Sequence, residues 1–409
     1  MGMFVRREEL EWFLRGVGGR RLLYGRRKTG KTFYVRRVLR DYDYFIVRRG
    51  GTFYDPINNE ELSLTAFLRV CKGGGVVVDE FHRADPRFFD ALHAGECGED
   101  LILITSTLHY FRRFVEDPEA PLLGLFSSLR VGLVSPLDLL RHDWGVEVGK
   151  ELIETLTLYQ EPALIGRGLR EAILTGREFT TALVGEVLDE EDVTYTRRFH
   201  AILEAVASGK DRLTEIAAYA HSRGLTPTPS TSHIVKYVNA LTRVGLLERV
   251  EVWGRRKGSR YRHASPLTDL TYYLHAKYGF LDTPATWGYV EKVVRERIPT
   301  LVERFTERLL AEAHGLKPVK ILEPEIDIAL TRFKKIALVA EVKWVSKLKK
   351  EDVRKAEEKL SRFPEARKIL IVPDATTTPE TWLEVMDVKD MIRLARQATS
   401  KHHGYLRHA

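Results

Sequence analysis

The stretch that most narrows what this chain can fold into is Gly25-Arg26-Arg27-Lys28-Thr29-Gly30-Lys31-Thr32, set between the apolar runs Leu22-Leu23-Tyr24 and Phe33-Tyr34-Val35. Strand, glycine-bearing loop and helix in that order aim backbone N–H groups and the positive end of a helix dipole at one anion. The spacing G-x-x-x-x-G-K-[ST] adds the Lys31 ammonium for β- and γ-phosphates and the Thr32 hydroxyl for Mg²⁺. A Gly/Lys-rich surface turn, the bland alternative, needs neither the strand before nor the helix after. The stretch therefore predicts a nucleoside triphosphate cradle made by Gly25, Gly30, Lys31 and Thr32.

The flanking sequence supplies the sheet that such a loop needs. Leu10, Phe13, Leu14 and Val17 share one face of a first amphipathic helix. Tyr44 to Val47 reads as a second strand, Arg48 to Asn59 as a polar connection, and Leu62 to Cys71 as a helix. Val76-Val77-Val78-Asp79-Glu80 is a buried parallel strand, and ligands gather at the carboxyl ends of such strands. Asp79 is expected to hold Mg²⁺ beside Thr32, directly or through water, and Glu80 to polarise an attacking water as general base. Leu101 to Ile104 ends in Thr105-Ser106-Thr107, where Ser106 is placed to sense the γ-phosphate or the water. Val131 to Val134 is read as the strand closing a sheet of roughly five.

A chain of 409 residues that is 44% apolar has material for roughly two to four cores. The formal charge of +8 and a pI near 9.2 point to an anionic partner. No run of 18 apolar residues and no signal-peptide core is present, so no membrane association and a cytoplasmic location are expected. Cys71 and Cys97 lack CxxC spacing, and neither a disulfide nor a zinc site is expected from them. Abundant Arg, Glu and Lys, with Gln160 and Gln397 the sole glutamines, is a thermophile's composition.

Residues 197–265 read as three helices and a hairpin. Ser230 is placed to cap the third helix, with Ile234, Val235, Val238 and Leu241 inward and Ser232, Lys236, Asn239 and Arg243 outward. The hairpin tip carries Arg255, Arg256 and Lys257, and Arg260 and Arg262 follow. This is the layout of a winged helix-turn-helix, with Lys236 and Arg243 facing DNA bases or backbone and the wing contacting phosphates. Each phosphate contact contributes a slope of about −0.9 to the salt dependence of binding.

The last part holds a second set of charged residues. A helix carries Glu303 and Glu307; Asp327 precedes an apolar strand; Glu341 and Lys343 lie two apart on the next, on one face. Asp327 and Glu341, with Glu303 or Glu307, suit Mg²⁺ or Mn²⁺, and Lys343 suits a scissile phosphate. A helical Glu, an Asp and Glu-x-Lys form the pattern of PD-(D/E)xK nucleases.

Taken together, Phe4-x-x-Arg7-Glu8, the phosphate loop, the Asp79-Glu80 strand and Thr105-Ser106-Thr107 resemble the archaeal ATPase family within the AAA+/STAND group of P-loop NTPases. The C-terminal part is similar to the nuclease-like domain often fused to them. The resemblance implies ATP as ligand, Arg7 near the adenine, and a helical lid in which Pro162 approaches the nucleotide. It implies a multidomain α/β chain: P-loop domain 1–136, lid 137–196, winged helix 197–275 and nuclease-like domain 276–409; a homo-oligomer is left open. Two features depart from the family. Ala120-Pro121-Leu122-Leu123-Gly124-Leu125 lacks the arginine usual there, leaving Arg130 or Arg112 as substitutes, and Gln160-Glu161-Pro162 keeps only the proline of the lid motif. An ATP-switched DNA enzyme and a slowly hydrolysing regulatory switch both remain open.

Overall fold

The computed structural model describes residues 3–106, 120–190, 197–255, 258–283 and 286–398, without the side chains of 186–190. It divides into two compact units, Arg7–Leu133 with Leu183–Tyr195, and Met1–Arg6, Val134–Ala182 and Thr196–Ala409. Among the described residues no helix is long and apolar enough to cross a membrane.

The first of these is a mixed α/β unit around a sheet of seven strands. Helix α1 (Glu8–Gly16) buries Leu10, Phe13 and Leu14 and leads to β1 (Arg21–Tyr24). Then come α2 (Lys31–Val38), β2 (Asp43–Val47), β3 (Phe53–Asp55), β4 (Glu60–Leu62) and α3 (Leu64–Cys71). Strand β5 (Val76–Asp79), α4 (Pro86–His93), β6 (Leu101–Thr105) and β7 (Ser127–Arg130) complete it. The order is β4-β3-β2-β5-β6-β1-β7. Neighbours from β2 to β7 run parallel, and β3 and β4 add an antiparallel edge. Parallel strands covered on both faces must be apolar throughout, and β5 and β6 are buried at every position.

Three expectations change here. The polar connection after β2 is not irregular: Phe53 is fully buried and stacks on Phe67 at 3.9 Å, which anchors β3 to the sheet. The closing strand is Ser127–Arg130 rather than Val131–Val134. Among the described residues β7 is an edge strand that pairs only with β1 and buries only Leu129, so its apolar content is low and the more apolar run beside it misleads. Cys71 and Cys97 form a disulfide, contrary to the reading of their spacing. Cys71 ends α3 and Cys97 follows α4; the N–H groups of Gly74 and Gly98 both reach the Cys71 carbonyl. That turn brings the Cα atoms to 4.9 Å across a separation of 26 residues. No local spacing rule covers such a pairing.

The second unit starts with α5 (Pro136–Arg141), α6 (Lys150–Tyr159) and α7 (Leu169–Glu190), whose last residues belong to the first unit. Helices α8 (Arg197–Ala207), α9 (Leu213–Ser222) and α10 (Val235–Arg243) are followed by a hairpin, β8 (Leu247–Glu251) and β9 (Ser259–His263). Helix α11 (Pro266–Tyr278) and the 28-residue α12 (Trp287–His314) lead into β10 (Lys317–Val319), β11 (Ile328–Arg332) and β12 (Lys335–Val342). Helix α13 (Lys350–Ser361), β13 (Arg367–Ile371), β14 (Glu384–Met386) and α14 (Val388–Gln397) finish the described chain. The five strands lie in chain order, antiparallel from β10 to β12 and parallel from β12 to β14.

Alternation along these strands feeds two cores. Ala329, Val339 and Leu370 face Val353, Ala356 and Leu360 of α13. Ile328, Leu330, Leu338 and Ile369 belong to a larger core shared with α12, α14 and the helices α5 to α7. Polar ties follow the same line: Trp344 Nε1 donates to Glu154 at 3.0 Å, and Arg141 Nε to the Ala395 carbonyl at 2.7 Å.

Candidate functional site

The loop between β1 and α2 has a backbone that few residues besides glycine could adopt. Gly25 sits at φ +140°, where a Cβ would lie 2.4 Å from the Val131 carbonyl oxygen. Gly30 opens α2 in the left-handed region at φ 81°. Lys31 is buried; its ammonium donates to the carbonyls of Gly25 (2.7 Å) and Arg26 (2.9 Å). It thereby stands inside the curl of the loop, and reaching a phosphate means exchanging those carbonyls for phosphate oxygens. Arg7 braces the loop from outside, donating to the Thr29 carbonyl at 2.8 Å and to the carbonyls of Gly132 and Leu133.

Parallel pairing of β2, β5 and β6 brings the ends of three strands to the start of α2. Thr32 Oγ1 donates to Asp79 Oδ2 at 2.5 Å, and the Tyr44 hydroxyl donates to the same oxygen at 2.7 Å. Burial raises the Asp79 pKa, against the pull of those two hydroxyls. Burial and the Asp79 charge likewise raise that of Tyr44, which stays a hydroxyl donor. Thr32 and Asp79 thus offer adjacent hard oxygens, the donor chemistry that Mg²⁺ takes.

Glu80 follows in the left-handed region at φ 56° and begins a single 3-10 turn, Phe81–Arg83. That backbone turns its carboxylate toward His82 Nε2 at 3.5 Å and Arg83 at 3.4 Å. His82 Nδ1 lies 3.1 Å from Thr105 Oγ1 at the end of β6. Burial first, then the Arg83 charge, lowers the His82 pKa to about 4, so the ring is neutral at pH 7. Ser106 is one residue past β6 and only partly buried; Thr105, its fully buried neighbour, is the one joined to this group. Thr107 and Arg112 lie outside the described residues. Tyr44 and His82 were not read as site residues from sequence, where the Asp-Glu-x-His spacing was the available signal; Thr105 was read only as part of Thr105-Ser106-Thr107, with Ser106 preferred.

In the second unit Asp327 immediately precedes β11, and Lys343 immediately follows β12. The pairing of Ile328 with Ala340 sets Asp327 beside Glu341. Asp327 accepts from the Val342 N–H at 2.9 Å; burial and the Glu341 charge raise its pKa. Glu341 is almost fully buried and salt-bridged by Lys343 at 2.9 Å and by Lys359 of α13 at 3.1 Å. Lys343 also lies 3.9 Å from Asp327. Burial opposes the Lys343 charge, but the two carboxylates outweigh it and its pKa is raised. Of the two helical candidates, Glu307 is engaged by Arg262 at 2.5 Å. Glu303 lies close enough to Asp327 that burial and that charge raise its pKa to about 7. Among the described residues no three His, Cys, Asp or Glu gather as a metal site. Asp327 and Glu341 alone form a two-carboxylate pair with the oxygens a hard divalent ion takes.

Along α10 and the turn before it, Ile234, Val238 and Leu241 are buried while Ser232, Lys236, Asn239 and Arg243 are exposed, as the pattern predicts. Val235 is 37% exposed rather than inward. Ser230 caps not α10 itself but a 3-10 turn, Thr231–His233, ahead of it. Arg255 is exposed at the hairpin tip; Arg256 and Lys257 lie outside the described residues. Arg260 is held by Asp211 at 3.0 Å, and Arg262 is sequestered between Glu248 and Glu307. Pro162 begins a 3-10 turn, Pro162–Leu164, next to Gln160, which accepts from Arg308 at 3.0 Å.

No family model matches the sequence, and no curated protein matches it. Among solved structures, a Walker-type ATPase of Pyrococcus abyssi is similar over 66% of this chain and 96% of its own, at 19% identity and a TM-score of 0.46. The Aeropyrum pernix ORC1 protein, solved in complex with DNA, covers 68% of this chain and 95% of its own at 17% identity and 0.31. Drosophila ORC bound to DNA covers 65% and 85% at 15% identity and 0.24. All three scores fall below 0.5, so the chemistry is read from the residues themselves.

Proposed function

We propose that the chain is an ATP-binding P-loop ATPase of the archaeal AAA+/STAND kind, whose nucleotide state governs a DNA-binding winged helix and a nuclease-like C-terminal domain. The single observation that carries the ATPase reading is the 2.5 Å contact of Thr32 with Asp79 at the mouth of the Gly25–Gly30 loop. In this reading Gly25, Gly30 and Lys31 hold the phosphates, and Thr32 and Asp79 hold Mg²⁺, which supplies charge neutralisation at the transferring phosphoryl group. Glu80 accepts the proton of an attacking water, Arg7 lies near the adenine, and Ser106 and Pro162 approach the nucleotide. The four segments 1–136, 137–196, 197–275 and 276–409 are then the ATPase, lid, winged-helix and nuclease-like domains of a cytoplasmic, thermophile protein able to form homo-oligomers. The test is Mg²⁺-dependent ATP binding by the purified chain. Lys31→Ala should lose it, and affinity retained in that variant would sink the assignment.

DNA is assigned to the exposed residues Lys236, Arg243 and Arg255, with Arg256 and Lys257, rather than to the ion-paired Arg260. Asp327 and Glu341, with Glu303 nearby, would hold Mg²⁺ or Mn²⁺ beside Lys343 and a scissile phosphodiester. One observation favours a second reading, in which the C-terminal domain binds DNA without cutting it: two lysines already neutralise Glu341. Cleavage assays with Mg²⁺ or Mn²⁺, comparing the native chain with Lys343→Ala, separate the two.

A further inference from the structure

The β8–β9 hairpin is hydrogen-bonded to the C-terminal sheet. The Lys320 N–H donates to the Glu251 carbonyl at 2.8 Å, and the Trp253 N–H donates to the Lys320 carbonyl at 2.9 Å. This is a parallel bridge of Val252 with Lys320, supported by an ion pair of Lys317 with Glu251 at 3.0 Å. The outgoing strand of the hairpin therefore runs alongside β10 and ends where β10 ends.

Topology then fixes what lies at that end. Strand β10 is antiparallel to β11, and β11 to β12, so the end of β10 is the start of β11 and the end of β12. Asp327 sits at that start, and Glu341 and Lys343 at that end. From Trp253 to Glu341 the path crosses three strand-to-strand steps of about 4.8 Å each, or roughly 15 Å. One strand of a duplex advances about 3.4 Å per nucleotide along the axis, so the interval corresponds to about four nucleotides. Lys320 stands at the join, and its charge acts on both Glu303 of the carboxylate group and Asp211 beneath the hairpin.

We propose that the hairpin tip and the Asp327–Glu341 end of the sheet are one DNA surface, so that the strand whose phosphates meet Arg255 passes over Asp327, Glu341 and Lys343 about four nucleotides further on. The proposal rests on the DNA reading above. The hairpin becomes the ruler that sets which phosphodiester reaches the carboxylates, and the bridge at Lys320 keeps the ruler in register.

The test needs no cleavage. In the full chain Arg255→Cys and Lys343→Cys are combined, both thiols carry a photo-crosslinker, and the native Cys71–Cys97 disulfide is kept intact. Irradiation on end-labelled duplex DNA in EDTA should give doubly adducted strands with the two adducts about three to six nucleotides apart, allowing for linker reach. Arg255→Cys with Ser346→Cys, in the exposed turn after Lys343, should give the same interval if Lys343→Cys perturbs the fold. DNA retained with adducts scattered, ten or more nucleotides apart, or at only one position would overturn the single surface while leaving DNA binding standing. No retained DNA would remove both.

Discussion

His82 Nε2 lies 3.5 Å from the Glu80 carboxylate, and the opposite ring nitrogen lies 3.1 Å from the Thr105 hydroxyl. The ring is neutral, and in the tautomer that carries its proton on Nε2, on the side facing Glu80, Nδ1 accepts from the Thr105 hydroxyl. His82 is thus a positioning residue for the proposed base. His82→Phe should lower kcat for ATP roughly 10- to 100-fold with KM little changed, below the full worth of a general base. His82→Gln, which keeps a donor and an acceptor, should recover most of it. Steady-state kinetics of both variants decide the matter; equal losses in both, or a loss confined to KM, would discard the role.

Asp269 is fully buried and paired with Arg297 and Arg304, each at 2.7 Å. Burial works against its charge, but the two guanidinium groups outweigh it and hold its pKa well below the usual carboxylate range. A folded pKa below the unfolded value of about 3.9 gives stability that is present above pH 4 and lost as pH falls further. Asp269→Asn strands two part-buried cations and should cost about 3 kcal/mol at pH 7 in urea unfolding. Below pH 4 the gap between variant and native chain should narrow; a constant gap would contradict the assignment.

The Cys71–Cys97 bridge closes a loop spanning 26 residues. Chain entropy alone gives such a loop about 3.5 kcal/mol. The bridge ties α3 to the turn that feeds β6, the strand lying between β5 and the phosphate loop's own β1. Cys97→Ala should lower the denaturant midpoint of the first unit by that order while leaving the proposed ATP affinity intact in the folded protein. A native chain equally stable under oxidising and reducing conditions would show that the bridge adds nothing.

Basic residues of α10 and the β8–β9 hairpin fall into two kinds, and salt titration tells them apart. Lys236→Ala and Arg255→Ala should each reduce the slope of log affinity for DNA against log salt by about 0.9. Arg262→Ala leaves Glu248 and Glu307 without that partner and should instead lower thermal stability. If Arg262→Ala changed the slope and Arg255→Ala did not, the roles would be reversed.

Legibility in the sequence followed the range of the physics. Gly25, Gly30, Lys31 and Thr32 announce themselves because loop geometry is set by neighbours in the chain, and Asp79 because a buried strand is continuous apolar sequence. The inward face of α10 was readable from helical spacing, apart from Val235. Tyr44 beside Asp79 and Thr105 beside His82 were not, since each pairing is made by sheet order, nor was Cys71 beside Cys97, which a turn brings together across 26 residues. Arg260 and Arg262 read as surface cations for the same reason: their partners Asp211 and Glu307 lie tens of residues away in the chain.

Helices α5 to α7 bury their apolar faces in the core that also covers one side of the C-terminal sheet. Ile153 and Leu156 of α6 therefore share a solvent-free interior with Leu301 and Phe305 of α12 and with Ile369 of β13. Elements with a common interior melt as one cooperative block, and amides in α6 and in β13 should exchange with deuterium through the same opening event. The C-terminal sheet therefore cannot be excised without opening the core it shares with α5 to α7: a chain ending near residue 280 would present the bared α6 face to water and associate through it.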